Sequence, residues 1–146
     1  MELFFIFLVI AGFIIGLGAV TVIDIHGFFA RKSPYWTEAT IRTHKITKPL
    51  IWFGIVLVAI GTFLLGFNAL ISSSDFAFRF FIIFLLVLNG SFLSFVISPE
   101  LLKREKAGRG SEILPREMQN KIMISFFVSI FLWWGFVLYF LNFLIK

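Results

Sequence analysis

Apolar residues recur along the chain in four long runs, at about residues 3–23, 50–71, 80–98 and 122–145, each bounded by charges or turn formers. A helix rising about 1.5 Å per residue crosses the hydrocarbon core in roughly 20 residues, so each run is long enough to span. The runs are apolar on every face. Barrel strands would alternate polar and apolar positions, and only closed helices satisfy all backbone groups within lipid. The pattern predicts an all-α fold, a transmembrane four-helix bundle forming a single domain over residues 1–146. The first run follows Glu2 instead of a basic leader, exceeds the roughly 7–15 apolar residues of a signal core and meets no small-residue cleavage site, so it reads as a mature span.

Helix-start signals extend three of the four helices beyond the lipid. Ser33 before Pro34 pairs a capping hydroxyl with a residue suited to the first helical position, and Glu38 and Arg42 follow at i, i+4 spacing. Pro49 falls where that extension meets the membrane and is expected to bend the helix. Ser98-Pro99-Glu100 restarts or kinks the third helix, and Pro115 opens the fourth after the turn at Gly108-Arg109-Gly110. Helices 2 to 4 are therefore expected to project from the side that holds the first and third connections.

Composition agrees with a membrane class: 60% of residues are apolar and 14% charged, against about 45–50% and about 25% in soluble domains. The absence of cysteine excludes thiolate metal sites, cysteine nucleophiles and the four-helix quinone-linked disulfide oxidoreductases. Of 13 basic residues, five lie in the first connection (Arg31, Lys32, Arg42, Lys45, Lys48) and six in the third (Lys103, Arg104, Lys106, Arg109, Arg116, Lys121). Arg79 and Lys146 remain for the other side. Short basic loops stay in the cytoplasm, which predicts a multi-pass protein of the inner (plasma) membrane with both termini outside. The net charge of +5 then forms a collar for anionic lipid headgroups. Nucleic acid is not an expected partner, because no soluble domain offers a basic face.

Small residues mark the faces on which helices approach within lipid. Gly12 and Gly16, Gly54 and Gly61, Gly90 and Ser94, and Ser125 and Ser129 supply one stripe per helix, expected to serve mainly bundle packing, with a homo-oligomer or a larger membrane complex as the alternative use. Leu17-Gly18-Ala19 before Arg31-Lys32 is echoed by Asn89-Gly90-Ser91 before Lys103-Arg104, and Trp52-Phe53-Gly54 by Trp133-Trp134-Gly135, which suggests a two-hairpin repeat about an axis along the membrane normal. No ionisable residue lies near the centre of a span, which argues against ion-coupled exporters that need a carboxylate in the first helix. Asn89 is the deepest strongly polar side chain and is expected to form an interhelical hydrogen bond.

The chemically richest region is the inner edge. Asp24 and His26 close the first span, and His44, Lys48 and Trp52 share one face of the second at i, i+4 spacing. Two imidazoles and a carboxylate could ligate a metal or haem iron. The offset of His44 from the lipid boundary favours instead an ionic latch between Asp24 and Lys48, with no metal.

Gly16-Leu17-Gly18-Ala19-Val20-Thr21 with Asp24, the histidine before the second span, Trp52-Phe53-Gly54, Leu88-Asn89-Gly90, Ser98-Pro99-Glu100-Leu101-Leu102 and Trp133-Trp134-Gly135 resemble a family of small bacterial four-span membrane proteins of unassigned function. More distantly, a first span ending near a histidine and a second opening with Ile46-Thr47-Lys48-Pro49 are similar in layout to the membrane-bound protoporphyrinogen oxidases. That resemblance implies haem b, with His26 and His44 as cofactor-binding residues, although the oxidases' essential histidine lies near the start of the first span, where this chain has Glu2 and apolar residues. Three functions follow: a non-enzymatic accessory or assembly subunit without cofactor, which the unreactive span centres favour; a haem- or porphyrin-binding redox protein; and an oligomeric small carrier or channel.

Overall fold

The computed structural model describes residues 1–68 and 71–145. Ala69 and Leu70, at the end of the second apolar run, and Lys146, assigned above to the terminal side, lie outside the described residues. Helix α1 spans Glu2–Ala30 and α2 spans Pro34–Phe67; α3 (Ser73–Phe92) continues through a π-helical segment, Leu93–Ile97, into α4 (Ser98–Lys106), and α5 spans Arg116–Ile145. Among the described residues four helices, counting Ser73–Lys106 as one, are long and apolar enough to cross a membrane. The architecture is an all-α four-helix bundle. In cross-section α1 packs on α2, α2 on α3, α3 on α5 and α5 on α1, the ring expected of antiparallel neighbours joined by short connections.

The helices overrun the apolar runs for local reasons. The Ser33 hydroxyl accepts from the Trp36 N–H at 3.5 Å, and the Thr37 hydroxyl donates to the Ala30 carbonyl at 3.0 Å, which staples the start of α2 to the end of α1. Extension of α1 to Ala30 was not expected from its apolar run. The Ser72 hydroxyl accepts from the Asp75 N–H at 3.1 Å, so α3 begins at Ser73 and takes in Arg79, ahead of the expected start near residue 80. Gly108 reverses the chain after α4 with φ of 71°, a left-handed conformation that glycine adopts without a Cβ clash. Helix α2 runs through Pro49 without interruption. Pro99 provides no N–H for the Phe95 carbonyl and its ring crowds that oxygen, and the chain widens into the π turn at Leu93–Ile97 immediately before it.

The α1–α2 pair is the tightest. A Cβ placed on Gly54 would lie 2.5 Å from the Gly16 Cα and 2.8 Å from the Gly12 carbonyl oxygen, and one on Gly61 would lie 2.9 Å from the Phe5 carbonyl oxygen. These glycines are used inside the protomer, where backbones approach closely enough for dispersion to hold helices together in lipid. Trp133 reaches from α5 onto Gly16, and Phe13 meets the rings of Trp133, Phe136 and Phe140 edge-on. Val9, Val58, Leu65, Trp133 and Phe136 are buried, whereas Phe95, Phe131 and Leu138 point outward, 74%, 75% and 65% exposed. An apolar perimeter of this kind suits a lipid surround, where outward phenylalanine costs nothing.

Candidate functional site

Below the Gly16–Gly54 contact, toward the end that carries the basic connections, the helices enclose a cavity of about 70 Å³. Each helix of the ring contributes: Asp24 and Gly27 from α1, His44, Lys48 and Trp52 from α2, Gly90 and Ser94 from the third helix, and Phe126 from α5. The i, i+4, i+8 spacing of His44, Lys48 and Trp52 places all three on the face of α2 that looks into this space. The floor toward the bundle centre is formed where Trp52 crosses Gly90; a Cβ there would stand 3.6 Å from the indole.

The π segment shapes the polar side of the cavity. Trp52 donates its indole N–H to the Ser94 hydroxyl at 3.0 Å, and the Lys48 ammonium donates to the Ser94 backbone carbonyl at 3.3 Å. The π turn breaks the i→i+4 register of the helix at this point, which leaves a main-chain oxygen accessible to a side chain; such turns recur at functional sites. The Asp24 Oδ2 and the His44 Nε2 are buried without a hydrogen-bond partner. A buried polar atom left unpaired costs on the order of 1–3 kcal/mol, and two of the residues that line this small cavity carry one each.

Among the described residues Asp24 and Lys48 form no ion pair. The expected latch is therefore corrected: both groups line the same cavity, but Lys48 turns to the carbonyl freed by the π turn. His26 is not part of the cavity lining. Two residues after Asp24 on α1, it points about 200° away around the helix, and its ring packs on Trp36 with centroids 5.2 Å apart. Trp36 precedes His44 by eight residues, about 12 Å along α2. The two imidazoles do not present nitrogens to a common iron, and no group of three potential metal ligands occurs among the described residues; the residues present do not fit bis-histidine haem.

Asn89 bridges helices. Its side-chain N–H donates to the Ser125 carbonyl at 3.3 Å, and its oxygen accepts from the Ser125 hydroxyl at 2.7 Å, joining α3 to α5 next to Gly90 and Phe126 of the cavity lining. At the basic end Lys45 and Glu105 pair at 2.8 Å and tie α2 to α4.

Arg79, read from sequence only as a basic residue beside the second connection, is buried at 1% exposure. Its guanidinium lies 5.5, 5.2 and 4.5 Å from the ring centroids of Tyr139, Phe140 and Phe143, an aromatic cage of the cation–π kind. The Tyr139 hydroxyl donates to Asp75. The signal was present in Asp75 and Arg79 at i, i+4 and in the aromatic group of α5, but nothing in one sequence aligned the two helices.

No protein-family model matches the chain, and no curated protein or solved structure is significantly similar to it.

Proposed function

We propose that this chain is a non-enzymatic accessory bundle of the plasma membrane that holds a lipid-soluble molecule, with both termini outside and the cavity at the depth of the inner leaflet. The orientation rests on the basic residues of the first and third connections, which favour the cytoplasmic side. The holding role rests on one observation: Asp24 and His44 line a single cavity beside a π turn, and each carries a buried polar atom without a hydrogen-bond partner. The chemistry there suits retention. Lys48 and Trp52 are committed to Ser94 by hydrogen bonds, and the remaining lining is mostly aliphatic or aromatic, as in ligand pockets where a few polar groups fix orientation.

Native mass spectrometry of the protein released from its own membranes tests this role. A retained non-covalent mass, diminished in Asp24→Leu and in His44→Leu, is expected. A wild-type protein that carries no bound mass, from membranes in which it is abundant and folded, contradicts it.

A further inference from the structure

Resting on that ligand-holding role, we infer that the cavity takes an uncharged amphiphile whose head both donates and accepts hydrogen bonds: the hydroxyl-bearing head shared by a quinol and a diacylglycerol. Asp24 and Lys48 line one cavity without forming an ion pair, and the rest of the lining is mostly aliphatic or aromatic. A charged head would have to shed its water to enter such a space, at high cost. An uncharged head avoids that cost.

The hydrogen-bond inventory narrows the class further. The Asp24 Oδ2 lacks a donor and the His44 Nε2 lacks a partner of either kind. Lys48 uses one N–H on the Ser94 carbonyl, so two of its three donors remain. A ketone or ester alone would satisfy Lys48 and leave Asp24 without a donor. A hydroxyl group does both, donating to Asp24 while accepting from Lys48 or His44.

Shape provides for the rest of the molecule. Gly27 and Gly90 line the cavity from α1 and α3, and a Cβ on either would already stand in van der Waals contact, with Ile122 at 3.8 Å or Trp52 at 3.6 Å, so the space is bounded closely at these two points. Phe28, on the α1 side of the lining, is 49% exposed. With Ile122 and Phe126 of α5 also in the lining, the α1–α5 side meets the surrounding lipid through apolar surfaces, which gives an acyl or isoprenoid tail a way out.

Full-length protein in phosphatidylcholine nanodiscs, titrated with a short-chain benzoquinol, dioctanoylglycerol or dioctanoyl phosphatidate and read by native mass spectrometry, tests the proposal. Saturable binding of the quinol or the diacylglycerol is expected, the two arms separating the sources, with phosphatidate binding more weakly. Asp24→Leu and His44→Leu should each weaken binding by about tenfold, the scale of one lost hydrogen bond to a buried partner. Gly18→Ala, where an added methyl meets nothing within 4 Å, should leave it unchanged, and melting curves separate lost binding from lost folding. Phosphatidate binding tighter than either uncharged compound overturns the inference but leaves the ligand-holding role standing. Uncharged binding that survives both substitutions places the ligand elsewhere and overturns the inference. If none of the three compounds binds and no retained mass is found from native membranes, both the inference and the role fall.

Discussion

Replacing Gly54 with alanine tests whether close backbone contact between α1 and α2 holds the bundle. The added Cβ would stand 2.5 Å from the Gly16 Cα and 2.6 Å from the Gly16 nitrogen, where carbon contacts settle at about 3.5 Å or more. The helices must therefore part by about 1 Å. No rotamer relieves the clash, because the opposing atoms are backbone. Overpacking of this kind costs about 1–3 kcal/mol, and the better helix propensity of alanine returns up to about 1 kcal/mol. A net loss of about 1–2 kcal/mol is expected. Tryptophan fluorescence during unfolding in mixed detergent micelles is a suitable readout, since Trp133 rests on Gly16. Gly18→Ala is the control, its new methyl meeting nothing within 4 Å. Equal stability of Gly54→Ala and Gly18→Ala would refute the reasoning.

Three other outcomes follow from the structure. Asn89→Leu removes both hydrogen bonds to Ser125 and should lower stability by about 1 kcal/mol in the same unfolding assay, with membrane insertion unchanged; a gain in stability contradicts the bridging role. At the caged arginine, Arg79→Met should retain more stability than Arg79→Lys, because a buried charge replaced by an apolar chain of similar size is tolerated, while a lysine keeps the charge and loses the planar guanidinium; melting temperatures in the reverse order contradict this. The chain has no cysteine, so single-cysteine variants need no background removal: Gly110→Cys should react with a membrane-impermeant maleimide only in inverted vesicles and Asn68→Cys only in intact cells, and the opposite pattern reverses the topology.

The bundle was legible because lipid imposes one solution on long apolar runs, and the glycine pairs announced where backbones meet. Helix ends were less legible, since Thr37 reaching back to Ala30 and Ser72 capping α3 depend on contacts that apolarity does not encode. The face shared by His44, Lys48 and Trp52 followed from spacing alone. Grouping His26 with Asp24 overlooked the same rule, because positions i and i+2 on a helix do not face one another. The partner of Lys48 did not follow from spacing: its choice of the Ser94 carbonyl over Asp24 arises from the π turn ahead of Pro99, a change of helical register that leaves no mark in hydrophobic period. Arg79 was hidden for a related reason. A charge beside an apolar run reads as its boundary, and the rings that cover it belong to a helix 60 residues further on.

The most direct test of the account is an experimental density map of the protein in lipid nanodiscs made from its own membranes, examined at the cavity of Asp24, His44 and Lys48. Elongated density entering between α1 and α5 and ending within hydrogen-bond distance of Asp24 and His44 is the expected result. A cavity closed by a direct Asp24–Lys48 ion pair, with no density beyond the protein's own side chains, would contradict the account.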